Sequence, residues 1–249
     1  MSLMTSYIIA FNDSEIVRPD IREKGYAIVR SDARRAEPSA KDKLRVNDFI
    51  RVFGRKPQMS LFEIGLYYSW LDALERAVNA NHKEPFIIGE SDLYARVSSD
   101  EVETLLYESG ADILRPWLTY EMSAAEKLPN EDSICTCQAA PVLWSVMAAY
   151  AKHMSMTEAL RAIYNMFRCP LSNITTPLEQ VLWGTHGLVF RSSDAAKQLL
   201  DLMKSVVLPS DILLVYACVL HGLPMAITNK NLFIQVPRDR TQDVYDRYV

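Results

Sequence analysis

Residues 84–97 read EPFIIGESDLYARV. Phe86, Ile87 and Ile88 form an unbroken apolar run after Pro85. Such a run suits a strand covered on both faces, the usual condition of a parallel sheet flanked by helices. Glu90, Ser91 and Asp92 stand where the run ends, so two carboxylates lie at the carboxyl end of an interior strand. In α/β sheets that end is where ligands collect.

The chain on either side fits the same architecture. Upstream, SYIIAF and GYAIVRSD are short β-branched and aromatic runs bounded by turn residues, and they read as strands near 6–11 and 25–31. Between them and the 84–97 stretch, SLFEIGLYYSWLDALERAVNAN (60–81) carries apolar residues at helical spacing: Leu61, Ile64, Tyr68, Leu71, Leu74 and Val78. Ser60 and Glu63 open it with the S-x-x-E pattern of a capping box. Downstream, SSDEVETLLYESG is a helix with Ser98 or Ser99 near its cap and Gly110 after its end. ADILRPWLTY (111–120) reads as another strand, and the pattern from Pro141 to Phe167 is helical. THGLVFRSS (185–193) is a strand leading into the helix SDAAKQLLDLMKS. PSDILLVYACVLHG is a helix capped by Ser210 and stopped by Gly222, and MAITNKNLFIQV closes the chain's order as one or two strands. Alternation of strands and helices predicts a single α/β domain over 1–249 with a mainly parallel central sheet. Its core blocks are 5–118 and 183–236, with a helical middle segment at 141–167.

Composition narrows the class. With 249 residues, 49% of them hydrophobic and 23% charged, the chain is globular in character. It contains no apolar run long enough for a transmembrane helix, and MSLMTSYIIAF lacks the basic flank of a signal peptide. A soluble, cytoplasmic protein is expected. Its four cysteines make no disulfide framework, and Cys135 with Cys137 is too small a set for a zinc site. The net charge of −4 conceals an asymmetry, because Arg18 to Lys56 holds 12 Lys or Arg against 6 Asp or Glu. That segment favours an anionic ligand or forms a solvated face. The acidic remainder and the lack of a recognition motif speak against nucleic acid as a partner. No G-x-G-x-x-G or G-x-x-x-x-G-K-[ST] loop occurs, which sets aside the common dinucleotide and P-loop sites.

The chemistry suggested by Glu90 and Asp92 follows from their atoms. Two carboxylates at i and i+2 can converge on one hard cation such as Mg²⁺ or Mn²⁺, which prefers oxygen ligands. Pairs of this spacing are also common on protein surfaces.

The order of motifs adds to this. SLFEIGLYYSWLDALERA followed by FIIGESDLY resembles glycosyltransferase family 25, in which an E-I-G-C-x-x-S-H helix precedes a strand ending in E-D-D. WGTHGLVFRSSDAAKQLL is similar to that family's G-T-x-G-Y segment, and VLPSDILLVYACVLHGLPMAIT to its P-x-D helix and strand. Trp70, Ser91 and Leu66 stand where the family has His, the central Asp and Cys. The resemblance implies a GT-A-like nucleotide-sugar-binding fold. It also implies Mn²⁺ or Mg²⁺ held by Asp92 and Glu90, with Glu90 contacting ribose or a metal-bound water. His186 and Gly187 would serve nucleotide binding, and Asp211 would act as the base that activates an acceptor hydroxyl. The implied donor is a UDP-sugar, and the implied acceptor a glycan or glycolipid of the lipopolysaccharide type. Peripheral membrane association is compatible with such an acceptor. The alternative is a catalytically degenerate binding or scaffolding protein on the same fold. Arg18, Arg22, Arg34 and Arg35 are candidates to reach a diphosphate. Tyr67, Tyr68, Trp70 and Trp183 are either core residues or a stacking surface.

Overall fold

The computed structural model describes residues 3–13, 22–36, 61–120, 157, 187–205, 213–214, 217 and 221–235. Among the described residues seven strands form one sheet: β1 (Met4–Ala10), β2 (Tyr26–Asp32), β3 (Phe86–Glu90), β4 (Leu93–Ala95), β5 (Ile113–Tyr120), β6 (Gly187–Phe190) and β7 (Met225–Gln235). Among the described residues three long helices accompany them: α1 (Leu61–Asn79), α2 (Ser99–Ser109) and α3 (Ser193–Ser205). The helical middle segment expected at 141–167 and the capping Ser60 lie outside the described residues, apart from position 157.

The strand order is β2-β1-β3-β6-β5-β7-β4. β1 runs parallel to β2 and β3, and β5 runs parallel to β7. β6 is antiparallel to both β3 and β5, and β4 is antiparallel to β7. Five strands therefore share one direction and two are reversed, so the sheet is α/β and mixed. The apolar run that decided the reading is interior: β3 has β1 on one side and β6 on the other.

Alternation along the strands separates two cores. Tyr7 and Ile9 of β1, Phe86 and Ile88 of β3, and Leu188 and Phe190 of β6 pack with α1 and α3. On the opposite face Met4, Ile87 and Val189 pack with Val102 and Leu106 of α2. The result is three layers, helices on both faces of a sheet. Fully burying each of these large apolar side chains stabilises the fold by about 1.5–3 kcal/mol before entropy is counted.

Local chemistry sets the boundaries. Ser98 caps α2 by accepting from the Glu101 N–H, and Gly110 ends the helix at φ 67°. That left-handed conformation suits glycine, which has no Cβ to clash. Arg191 completes this end by donating to the Leu106 and Ala111 carbonyls at 3.1 and 2.8 Å. Two features depart from expectation. The buried stripe of α1 is Ile64, Tyr67, Trp70, Leu74 and Ala77, rotated from the predicted one, while Tyr68, Leu71 and Val78 are only partly buried. β4 was also not predicted. It follows β3 after two residues and pairs with the far half of β7, beyond a register shift between Pro116 and Leu118. Proline has no N–H to give the ladder, so an irregularity there is in keeping.

Candidate functional site

β1, β2 and β3 end side by side at Ala10, Asp32 and Glu90. The chain leaves β1 for a neighbour on one side, then returns through α1 to β3 on the other. This reversal is the topological switch point, at whose carboxyl edge open α/β sheets leave a crevice. A cleft of about 270 Å³ occupies that place. Ile9 and Phe11 line it from the end of β1, and residues 33–36 line it from the end of β2. The first turns of α1 contribute Leu61, Phe62 and Leu66, and β3 contributes Glu90.

Glu90 enters the cleft for a simple reason. Phe86 and Ile88 face α1, so Glu90, two residues further along the strand, projects to the same side. Its neighbours do not continue the alternation, because Ser91 and Asp92 form a turn. Ser91 is buried at 5% exposure, and Asp92 is not among the described residues lining the cleft. One carboxylate oxygen of each acid, Glu90 Oε1 and Asp92 Oδ1, is buried. Among the described residues no three His, Cys, Asp or Glu side chains come together as a metal cluster.

The wall at 33–36 is clamped to α1. A Cβ at Gly65 would lie 2.6 Å from the Arg34 carbonyl oxygen and 3.3 Å from the Ala36 nitrogen, so glycine permits the close approach. Four residues on, on the same helix face, Ser69 Oγ accepts from the Arg34 N–H at 2.8 Å and donates to the Gly65 carbonyl at 2.7 Å. One turn further, the Arg34 guanidinium meets Asp72 with both Nε and Nη2, the latter at 2.7 Å from Oδ1. Arg35 turns the other way, its guanidinium 5.2 Å from the centre of the Phe11 ring.

Gly187 is not brought to the cleft. It pairs with Gly89 in the sheet, and the space a side chain would take is filled by Leu93, whose methyls lie 3.1 Å from an added Cβ. Arg22 is exposed and does not line the cleft. Tyr67 and Trp70 are core residues, at 4% and 2% exposure, and offer no ring to a ligand. His186, Asp211, Arg18 and Trp183 lie outside the described residues. Sequence reasoning overlooked Phe11, Phe62, Gly65, Ser69 and Asp72. The spacing of Gly65, Ser69 and Asp72 along one helix face was the available signal.

A second polar cluster, elsewhere on β1, ties elements together. Tyr7 Oη and His82 Nε2 are 2.7 Å apart, and the His82 N–H donates to Ser193 Oγ at 2.7 Å. Ser193 Oγ donates in turn to the Ala77 carbonyl at 2.7 Å. Burial lowers the His82 pKa from its ordinary value. Burial also raises that of Tyr7, against a smaller opposing influence of Arg76. Burial thus favours the neutral imidazole where the end of α1, β1 and α3 meet. None of the helices among the described residues is long and apolar enough to cross a membrane.

Compared with known proteins, the chain matches no protein-family model and no curated protein sequence.

Proposed function

We propose that this chain is a metal-assisted glycosyltransferase of the GT-A type. On this reading it moves a sugar from a nucleotide sugar, a UDP-sugar, to a glycan or lipopolysaccharide-type acceptor. The observation that supports the reading best is the position of Glu90. It is a carboxylate at the end of an interior strand, projecting into a cleft at the switch point of an α/β sheet. The cleft is close to the lower bound of about 300–1,000 Å³ typical of small-molecule sites, and it mixes apolar walls with a few charged groups as such sites do.

The donor chemistry suits Mn²⁺ or Mg²⁺, which needs only one or two protein carboxylates when diphosphate oxygens fill the rest of its shell. Glu90, which lines the cleft, would hold it, with Asp92 of the turn just beyond as the second carboxylate that the resemblance implies, and the ion would offset charge on the departing nucleotide. Glu90 would also contact the ribose or a metal-bound water. Phe62, 73% exposed, presents an apolar ring at the rim, suited to a planar base or a sugar, while Phe11 lies beneath the Arg35 guanidinium. Asp211 is proposed as the base that takes the proton of the acceptor hydroxyl. Work in the cytoplasm, with peripheral membrane association at a lipid-linked acceptor, belongs to the same reading.

Ser91 favours a second reading, a nucleotide-binding protein without transfer activity. It is buried in the turn and brings no carboxylate where the family pattern has one. Incubation with UDP-sugars and Mn²⁺ separates the two. The transferase reading expects slow donor hydrolysis that disappears in Glu90→Gln/Asp92→Asn. Binding of UDP without hydrolysis of any donor would favour the second.

A further inference from the structure

Two adjacent arginines line the cleft, and they are not equivalent. Arg34 is committed to α1. Its N–H goes to Ser69 Oγ and its guanidinium forms a two-pronged pair with Asp72. Residues 33–36 lie outside helix and strand and follow β2 directly. With Arg34 turned back onto the helix, Arg35 is directed to the opposite side, over the Phe11 ring. Among the described residues Arg35 makes no ion pair, so its charge is not already neutralised by a described carboxylate. Guanidinium groups meet phosphate oxygens in two-pronged fashion, and an aromatic face beneath one preserves its orientation while leaving its edge donors open.

We infer that Arg35 is the anion-contacting residue of the cleft, and that Gly65, Ser69 and Asp72 are positioning residues that direct it there by clamping Arg34 to α1. The inference rests on the reading of the cleft as a diphosphate site and specifies which cation serves it. Arg34 is a structural strut, and the helix face G-x-x-x-S-x-x-D is the device that tells the two arginines apart.

The test is titration with inorganic pyrophosphate in magnesium buffer, by calorimetry, of four full-length proteins: wild type, Arg35→Gln, Asp72→Ala and the double variant. Arg35→Gln is expected to weaken binding about tenfold or more, the scale of one charge-assisted contact, with an unchanged melting temperature. Asp72→Ala is expected to weaken binding and also to lower the melting temperature. The double variant is expected to bind no more weakly than Arg35→Gln alone, because Asp72 acts only through Arg35. A merely structural Asp72 would instead lower the melting temperature and leave pyrophosphate binding at wild-type strength, and additive losses in the double variant would mean that Asp72 contributes independently of Arg35; either result overturns the positioning role. Undiminished binding in Arg35→Gln, or no pyrophosphate binding by wild type, overturns the assignment of Arg35. UDP is titrated in parallel: pyrophosphate bound with the expected pattern but UDP refused would leave the clamp intact and remove the nucleotide from the proposed function.

Discussion

Substituting Gly65 by alanine sets two effects against each other. Alanine is favoured over glycine in a helix interior by about 0.8–1.0 kcal/mol. If α1 were free on that side, Gly65→Ala would stabilise the protein by this amount. The new methyl, however, lies 2.6 Å from the Arg34 carbonyl oxygen, and carbon rarely approaches closer than 3.0 Å. Residues 34–36 must retreat by at least 0.4 Å, the difference of these two distances, or the helix must. The obstacle is backbone and cannot rotate aside, so the cost is that of overpacking, about 1–3 kcal/mol. The retreat also stretches the Arg34 N–H to Ser69 bond, now 2.8 Å. The net expectation is destabilisation by about 1 kcal/mol, or about 2–4 °C in melting temperature for a chain of this size. Amide exchange at Arg34 should quicken at the same time. Thermal unfolding and hydrogen exchange read the two quantities. A variant more stable than wild type, with Arg34 protection unchanged, would refute the clamp.

Trp70 and His82 carry the remaining predictions. Trp70→His, which installs the residue of the resembling family, is expected to cost about 3 kcal/mol or more in chemical denaturation, because it hollows the core and buries a polar ring. Trp70→Phe should cost much less, since the buried Nε1–H makes no hydrogen bond in the present structure. For His82 the lowered pKa means that the unfolded chain takes up its proton first as pH falls. Its contribution is therefore complete above the unfolded value of about 6.5 and is lost as pH drops through the lower folded value. Melting temperatures from pH 7.5 to 5 should fall more steeply in wild type than in His82→Gln, and parallel curves would deny the histidine this part.

How much of this was legible in the sequence varies with the range of the interaction. α2 could be drawn to its caps because Ser98 and Gly110 act within one turn of the backbone. β3 could be recognised as interior because Phe86, Ile87 and Ile88 need cover on both faces, a demand that does not depend on the neighbour's identity. The reversal of β6 could not, since GLVF is apolar whichever way it runs. Periodicity placed α1 but misjudged its face, where small residues such as Gly65, Ser69 and Ala73 pack as closely as the large apolar ones. For the site, Glu90 emerged from its place at a strand end. Asp92 was expected to converge with it from two residues on, and the turn at Ser91 and Asp92 ends the strand's alternation before Asp92. Phe11 and Arg35 meet across the sheet's edge through strand pairing, which no local pattern encodes.

On the function proposed above, the cleft at the ends of β1, β2 and β3 holds a nucleoside diphosphate with a divalent cation, and calorimetric titration of the full chain with UDP would detect it. Weak but measurable binding is expected, requiring Mn²⁺ and vanishing in Glu90→Gln/Asp92→Asn, while thermal stability stays close to wild type. No heat of binding at millimolar UDP with Mn²⁺ present, or binding indifferent to both carboxylates, would contradict it.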